Sequence, residues 1–147
     1  MVTPGLARRM DTQRAVLPVP EPDLTPAELI TRAAALRPLL RAQQDANDAR
    51  GSYSDELHQA FLKAGLYRTM QPRMFGGYEF GVPTFYKAMM EVSRGHPGVG
   101  WCLTLCASHP FLIASHWGEQ AQRECGFHDQ PLSVQTSCAT WRAPLTW

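Results

Sequence analysis

Cys102, Cys106 and His109 stand at i, i+4 and i+7, and His116 continues the row, so a helix through this stretch would carry all of them on one face. Thiols and imidazoles ligate zinc, but a zinc site needs about four ligands converging tetrahedrally. Three on one unbroken helix splay apart, and no C-x-x-C knuckle supplies the remainder. The spacing therefore predicts ordinary small core thiols and no metal site. Nucleophilic pairs fare no better. Ser108 and His109 are neighbours, and neighbours on a helix point about 100° apart, too far for the hydrogen bond that activates a serine. Cys106 with His109 was the other pairing to weigh, and no Gly-x-Ser-x-Gly elbow occurs. Gly76-Gly77 would cradle phosphate only with a helix opening directly behind it, yet Tyr78-Glu79-Phe80-Gly81 intervene, so a turn is expected. Trp101 and His109 remain: an indole and an imidazole on an apolar stretch, read from their surroundings as a core residue and a satisfied buried histidine.

The elements that position these residues can be read from their punctuation. Thr25-Pro26-Ala27-Glu28 is a capping box with proline at the first helical position. Leu29, Ala33, Leu36 and Leu40 follow on one face, with a kink expected at Pro38 and an end near Gly51. Ser54 caps a second helix, Leu57, Ala60, Phe61 and Ala64 form its inner face, and Gly65 stops it in the left-handed region. A third helix is expected from Pro83 to Gly95. A fourth spans Val99 to Trp117, bent or broken by Pro110, and a short fifth runs from Glu119 to Cys125 before Gly126. The expected fold class is all-α, a small bundle of about five helices. Its limits fall at 24–127, after a flexible, proline-rich lead over 1–23 and before a tail over 128–147. The tail has no helical period and no glycine from 129 on, and it ends on the apolar Leu145-Thr146-Trp147. Ser54 to Met70 has the outline of a helix-turn-helix, but only Arg68 and Arg73 add charge there.

Composition narrows the classes. The chain has 147 residues, enough for one domain with a real core. Lys+Arg number 14 against 13 Asp+Glu, which leaves no clustered basic face and predicts no nucleic-acid partner. Apolar residues at 44% exclude a wholly disordered tail. Four cysteines without a secretory leader suggest free thiols in a reducing, cytoplasmic setting. The uncharged stretch from Gly98 to Ser115 only just reaches the roughly 18 residues of a membrane span, so a buried helix and no membrane are expected.

The order of segments carries a resemblance. Tyr53-Ser54-Asp55-Glu56-Leu57 is followed by Ala64-Gly65-Leu66-Tyr67 and by Gln71-Pro72-Arg73-Met74-Phe75-Gly76-Gly77. Then come Val92-Ser93-Arg94-Gly95, Gly100-Trp101, Ser108-His109-Pro110 and Glu119-Gln120-Ala121-Gln122. Over about residues 25–134 this succession resembles the N-terminal helical domain of the acyl-CoA dehydrogenase superfamily. Gly-Trp followed by His-Pro and then Ala-Gln is more similar to its flavin-dependent monooxygenase branch. The resemblance implies a helical domain that walls a substrate cavity, a central β-domain, and a C-terminal bundle that builds a homotetramer, with FAD between the last two. It implies oxidation of an acyl-CoA CH–CH bond by hydride transfer to FAD, or, in the monooxygenase branch, oxygen activation by reduced flavin from a partner reductase acting on a small-molecule substrate. It places Trp101, His109 and Phe111 at the substrate or flavin cavity, with Phe111 behind the other two. Thr136 and Ser137 fall near a flavin-contacting segment. The catalytic residues are expected C-terminal to this chain, which then reads as an inactive N-terminal piece, truncated or out of frame from about residue 135. A non-catalytic helical interaction module is the alternative from another class.

Overall fold

A computed structural model describes residues 17–124. Among these residues the order is α1 (Pro26–Ala35), α2 (Arg37–Ala42), α3 (Gln44–Arg50), α4 (Asp55–Ala64), a 3-10 turn (Leu66–Arg68), α5 (Val82–Gly95), α6 (Pro97–His116) and α7 (Glu119–Glu124). The all-α class holds. The lead to residue 16, Gly126, and the tail with Thr136 and Ser137 lie outside the described residues.

Local chemistry explains the starts and stops. Thr25 Oγ1 accepts from the Glu28 amide at 3.2 Å, the first half of a capping box. The second half is absent, because Glu28 turns to Arg32 at 2.6 Å. Ser54 Oγ accepts from the Leu57 amide and Gly65 ends α4 at φ 80°, as the spacing foretold. The first long helix is divided where only a kink at Pro38 was expected. Its ladder breaks at Leu36, which keeps helical dihedrals, and Pro38 sits harmlessly in the first turn of α2, where its missing N–H has no partner to lose. A second break at Gln43 separates α3.

α6 departs from expectation in the other direction. It starts two residues earlier than Val99 and runs unbroken through Pro110. Pro110 removes one donor, but it lies on the buried row with Leu103, Ala107 and Ile113, whose packing holds both flanking turns. At its C-terminal end buried Gln122 donates to the carbonyls of Trp117 (2.7 Å) and Ala114 (3.3 Å), satisfying groups a helix end leaves bare.

The core gathers the inner faces of α1, α4, α5 and α6 around Leu29, Leu57, Phe61, Phe85 and Leu103, all 2% exposed or less. α5 packs most closely on α6 and α1. Gly100 makes the α5–α6 crossing tight: a Cβ there would lie 2.1 Å from Ser93 Oγ.

Candidate functional site: the outer face of the sixth helix

The loop between the 3-10 turn and α5 sets the pose of α6. Phe75 is buried and packs with Ile113, flanked by Met74 and Ala114, so the loop tip grips the C-terminal half of α6. The backbone of the loop folds back on itself: the amides of Tyr78, Glu79 and Phe80 donate to the carbonyls of Arg68, Gln71 and Thr69. Gly77 is obligatory there, since a Cβ would stand 1.9 Å from the Gln71 carbonyl oxygen. Gly65 faces the Tyr78 ring, which would meet its Cβ at 2.8 Å. Arg68 Nη1 donates to the Gly76 carbonyl at 2.8 Å, and burial pushes its guanidinium below the usual range. Both glycines of the pair are thus consumed by packing and turning, as the turn reading expected.

α6 is apolar all round, and a helix of that kind wants partners on every side. By length and composition it could also cross a membrane, though part of it is buried within this fold. Its inner row is covered; its outer row is not. Trp101 is 66% exposed, Leu105 44% and Leu112 43%. At about 100° per residue these three fall within roughly 40° of one another, the centre of a single outward face. α5 shows a similar row in Val82, Tyr86 and Met90. Trp101 is therefore not a core residue.

His109 is half-buried on one flank of the row and bonds to nothing among the described residues, so its ring nitrogens are open to a ligand. Phe111, 38% exposed, is two positions further on and points about 160° away from His109, to the opposite flank. By the same angle Trp101 lies between them, about 80° from each, so the three side chains fan over about 160° of the helix. Trp101 and His109 share one half of the helix but lie eight residues apart, about 12 Å along the axis. A ligand touching both would be at least that long, or would lie flat along the face.

Cys102 is exposed and Cys106 half-buried, both as free thiols. Burial, then the neighbouring Cys106 thiol, push Cys102 above the usual thiol range, so it is a poor nucleophile at neutral pH. No three ligating side chains converge among the described residues.

The sequence reasoning missed His96. It caps α6, with Nδ1 accepting from the Val99 amide at 3.5 Å, and it is 4% exposed. The signal was present in Pro97, a residue favoured at the first helical position.

With this geometry in view, the class is an all-α domain with an exposed apolar row on its sixth helix. The acyl-CoA dehydrogenase N-terminal domain family matches residues 31–125, and the chain belongs to that family. Among curated proteins it is 26% identical over 108 residues to the flavin-dependent monooxygenase, oxygenase subunit HsaA, of Rhodococcus jostii, covering 74% of this chain and 28% of that protein. It is 23% identical over 118 residues to the p-hydroxyphenylacetate 3-hydroxylase, oxygenase component, of Acinetobacter baumannii (80% and 28%). It is 29% identical over 128 residues to the pigment production hydroxylase of a Rhodococcus species (84% and 30%). The chain thus spans less than a third of these relatives. No solved structure gives a significant match.

A flavin would meet an apolar helix face among the described residues. The outer face of α6 fits a flat ring lying against it. The Gly76-Gly77 backbone, where a phosphate cradle could have formed, is closed onto Gln71 and Pro18.

Proposed function

We propose that this chain forms one wall of the substrate cavity in an oxygenase component of the flavin-dependent monooxygenase branch, working with reduced flavin supplied by a reductase. The observation that carries the reading is the agreement of the three relatives, each named as a hydroxylase or monooxygenase and none as a dehydrogenase. The geometry supports it. An aromatic substrate would lie against Trp101 and Leu105, where ring packing adds about 0.5–1.5 kcal/mol beyond burial. His109, with both nitrogens open, would hydrogen-bond a phenolic oxygen or take its proton. Closing this face would exclude water from that contact.

The purified chain, titrated with p-hydroxyphenylacetate and separately with an acyl-CoA, tests the reading by NMR. The phenol is expected to shift resonances of Trp101, Leu105 and His109 while the acyl-CoA leaves them unmoved. The reverse pattern would favour acyl-CoA dehydrogenation, and no shift from either would remove the wall role. With reduced flavin and oxygen added, the chain by itself is expected to give no turnover.

A further inference from the structure

A cavity of about 250 Å³ opens at the N-terminal end of α6, away from the middle of its outer face. Asn47, Asp48, Ser52 and Tyr53 line it from the α3–α4 side, and His96, Gly98, Val99 and Cys102 from α6. Two of its polar side chains are almost wholly buried and lack partners at one nitrogen each. Asn47 is 3% exposed and its Nδ2 bonds to nothing among the described residues. Arg50 Nη1 donates to Asn47 Oδ1 at 3.2 Å and to the Ser52 carbonyl at 3.3 Å, which holds the amide with its donor end unused. His96 spends Nδ1 on the Val99 amide, so neutral imidazole carries its proton on Nε2. That nitrogen stands 3.2 Å from Asp48 Oδ1, off the line of a hydrogen bond. Gly98 N–H belongs to the first turn of a 20-residue helix, which leaves its amides without intrahelical acceptors and gives this end a partial positive charge.

We infer that this cavity is a binding site for a small organic carboxylate. The Gly98 N–H suits one carboxylate oxygen directly; Asn47 Nδ2 and His96 Nε2 have almost no surface of their own, so the ligand reaches them as Asp48 swings out, and an unpaired buried donor is costly enough that an acceptor is favoured there. Arg50 and the helix end supply positive charge. Tyr53 and Val99 offer an apolar wall, so a short hydrocarbon tail fits where a bare inorganic anion would leave surface uncovered. Asp48, whose side chain is 62% exposed, is the competing carboxylate: it stands near His96 but is free to swing into solvent. The inference is independent of the monooxygenase reading, since none of these residues lies on the Trp101–Leu112 row.

The test is an NMR titration of the full chain with isobutyrate, following the Gly98 amide and the Asn47 side-chain amide. Saturable shifts of both are expected, with inorganic phosphate and neutral isobutyramide binding more weakly. His96→Asn keeps a capping side chain but loses the ring donor, and should weaken isobutyrate about tenfold. Asp48→Asn, at an exposed position, should tighten it about threefold by removing a like charge. Absent saturation, equal binding of isobutyramide, preference for phosphate, or an Asp48→Asn variant no tighter than wild type would each overturn the site.

Discussion

The loop from Gln71 to Gly81 and the outer face of α6 use their residues in opposite ways. The loop holds the most recognisable motif in the chain, yet each residue of it that can be accounted for serves packing. Gly77 lets the backbone touch itself, Phe75 anchors on Ile113, and Arg68 holds the Gly76 carbonyl. The outer face of α6 carries only a loose pattern, Gly-Trp and then His-Pro, yet it exposes an indole and flanks it with an imidazole that has no partner among the described residues. A motif is easily recognised when geometry tolerates no substitute. A cavity wall tolerates many, because its shape answers to the ligand.

Mutations can break this contrast. The largest effect is expected at Gly77→Ala, where the new methyl would overlap the Gln71 carbonyl, a backbone atom that cannot step aside. A loss of about 4 kcal/mol or more is expected in urea denaturation, enough to unfold many domains. Less than about 1 kcal/mol would mean that the loop is loose and its motif not structural. Leu103→Ala comes next. Leu103 is 0% exposed on the inner row of α6, so truncation should cost about 2–5 kcal/mol. Trp101→Ala, two residues away on the outer row, should change stability by no more than about 0.5 kcal/mol while abolishing the shifts caused by p-hydroxyphenylacetate. A loss comparable to that of Leu103→Ala would move Trp101 into the core and overturn the role proposed for it.

The same contrast explains what the sequence made legible. Caps and stops are local, so Thr25, Ser54 and Gly65 were readable from a few neighbours. The break at Leu36 was not, because helix-compatible residues surround it and the interruption lies in the hydrogen-bond ladder alone. Pro110 misled in the reverse sense: its local penalty is real, but the buried row on either side outweighs it. Of the proposed wall, Trp101, His109 and Phe111 could be singled out by type and order, whereas their spread around α6 follows only from the helical angle. His96 and Asn47 were hidden because their interest lies in what each fails to bond, which no linear pattern records.

The smallest expected effect lies at the entrance to α1. Arg32 donates to both oxygens of Glu21, at 2.9 and 2.7 Å, and also reaches Glu28. The hydrogen bond from Arg32 holds the Glu21 carboxyl below its usual range. A carboxyl with a depressed folded-state pKa adds stability that is fully present above its unfolded pKa and is lost as pH falls through the folded one. The contribution should therefore vanish on acidification below the ordinary carboxylate range, and stay flat around neutrality. The pair is largely exposed and screened by salt, so Glu21→Gln should cost well under about 1 kcal/mol at pH 7. Melting curves of wild type and Glu21→Gln should converge as the pH drops, and should draw together at neutral pH when salt is raised. A gap that persists in acid would show that Glu21 acts by packing on Arg32 and not by charge. The start of α1 would then resemble the loop, fixed by shape, and not an ion pair at the surface.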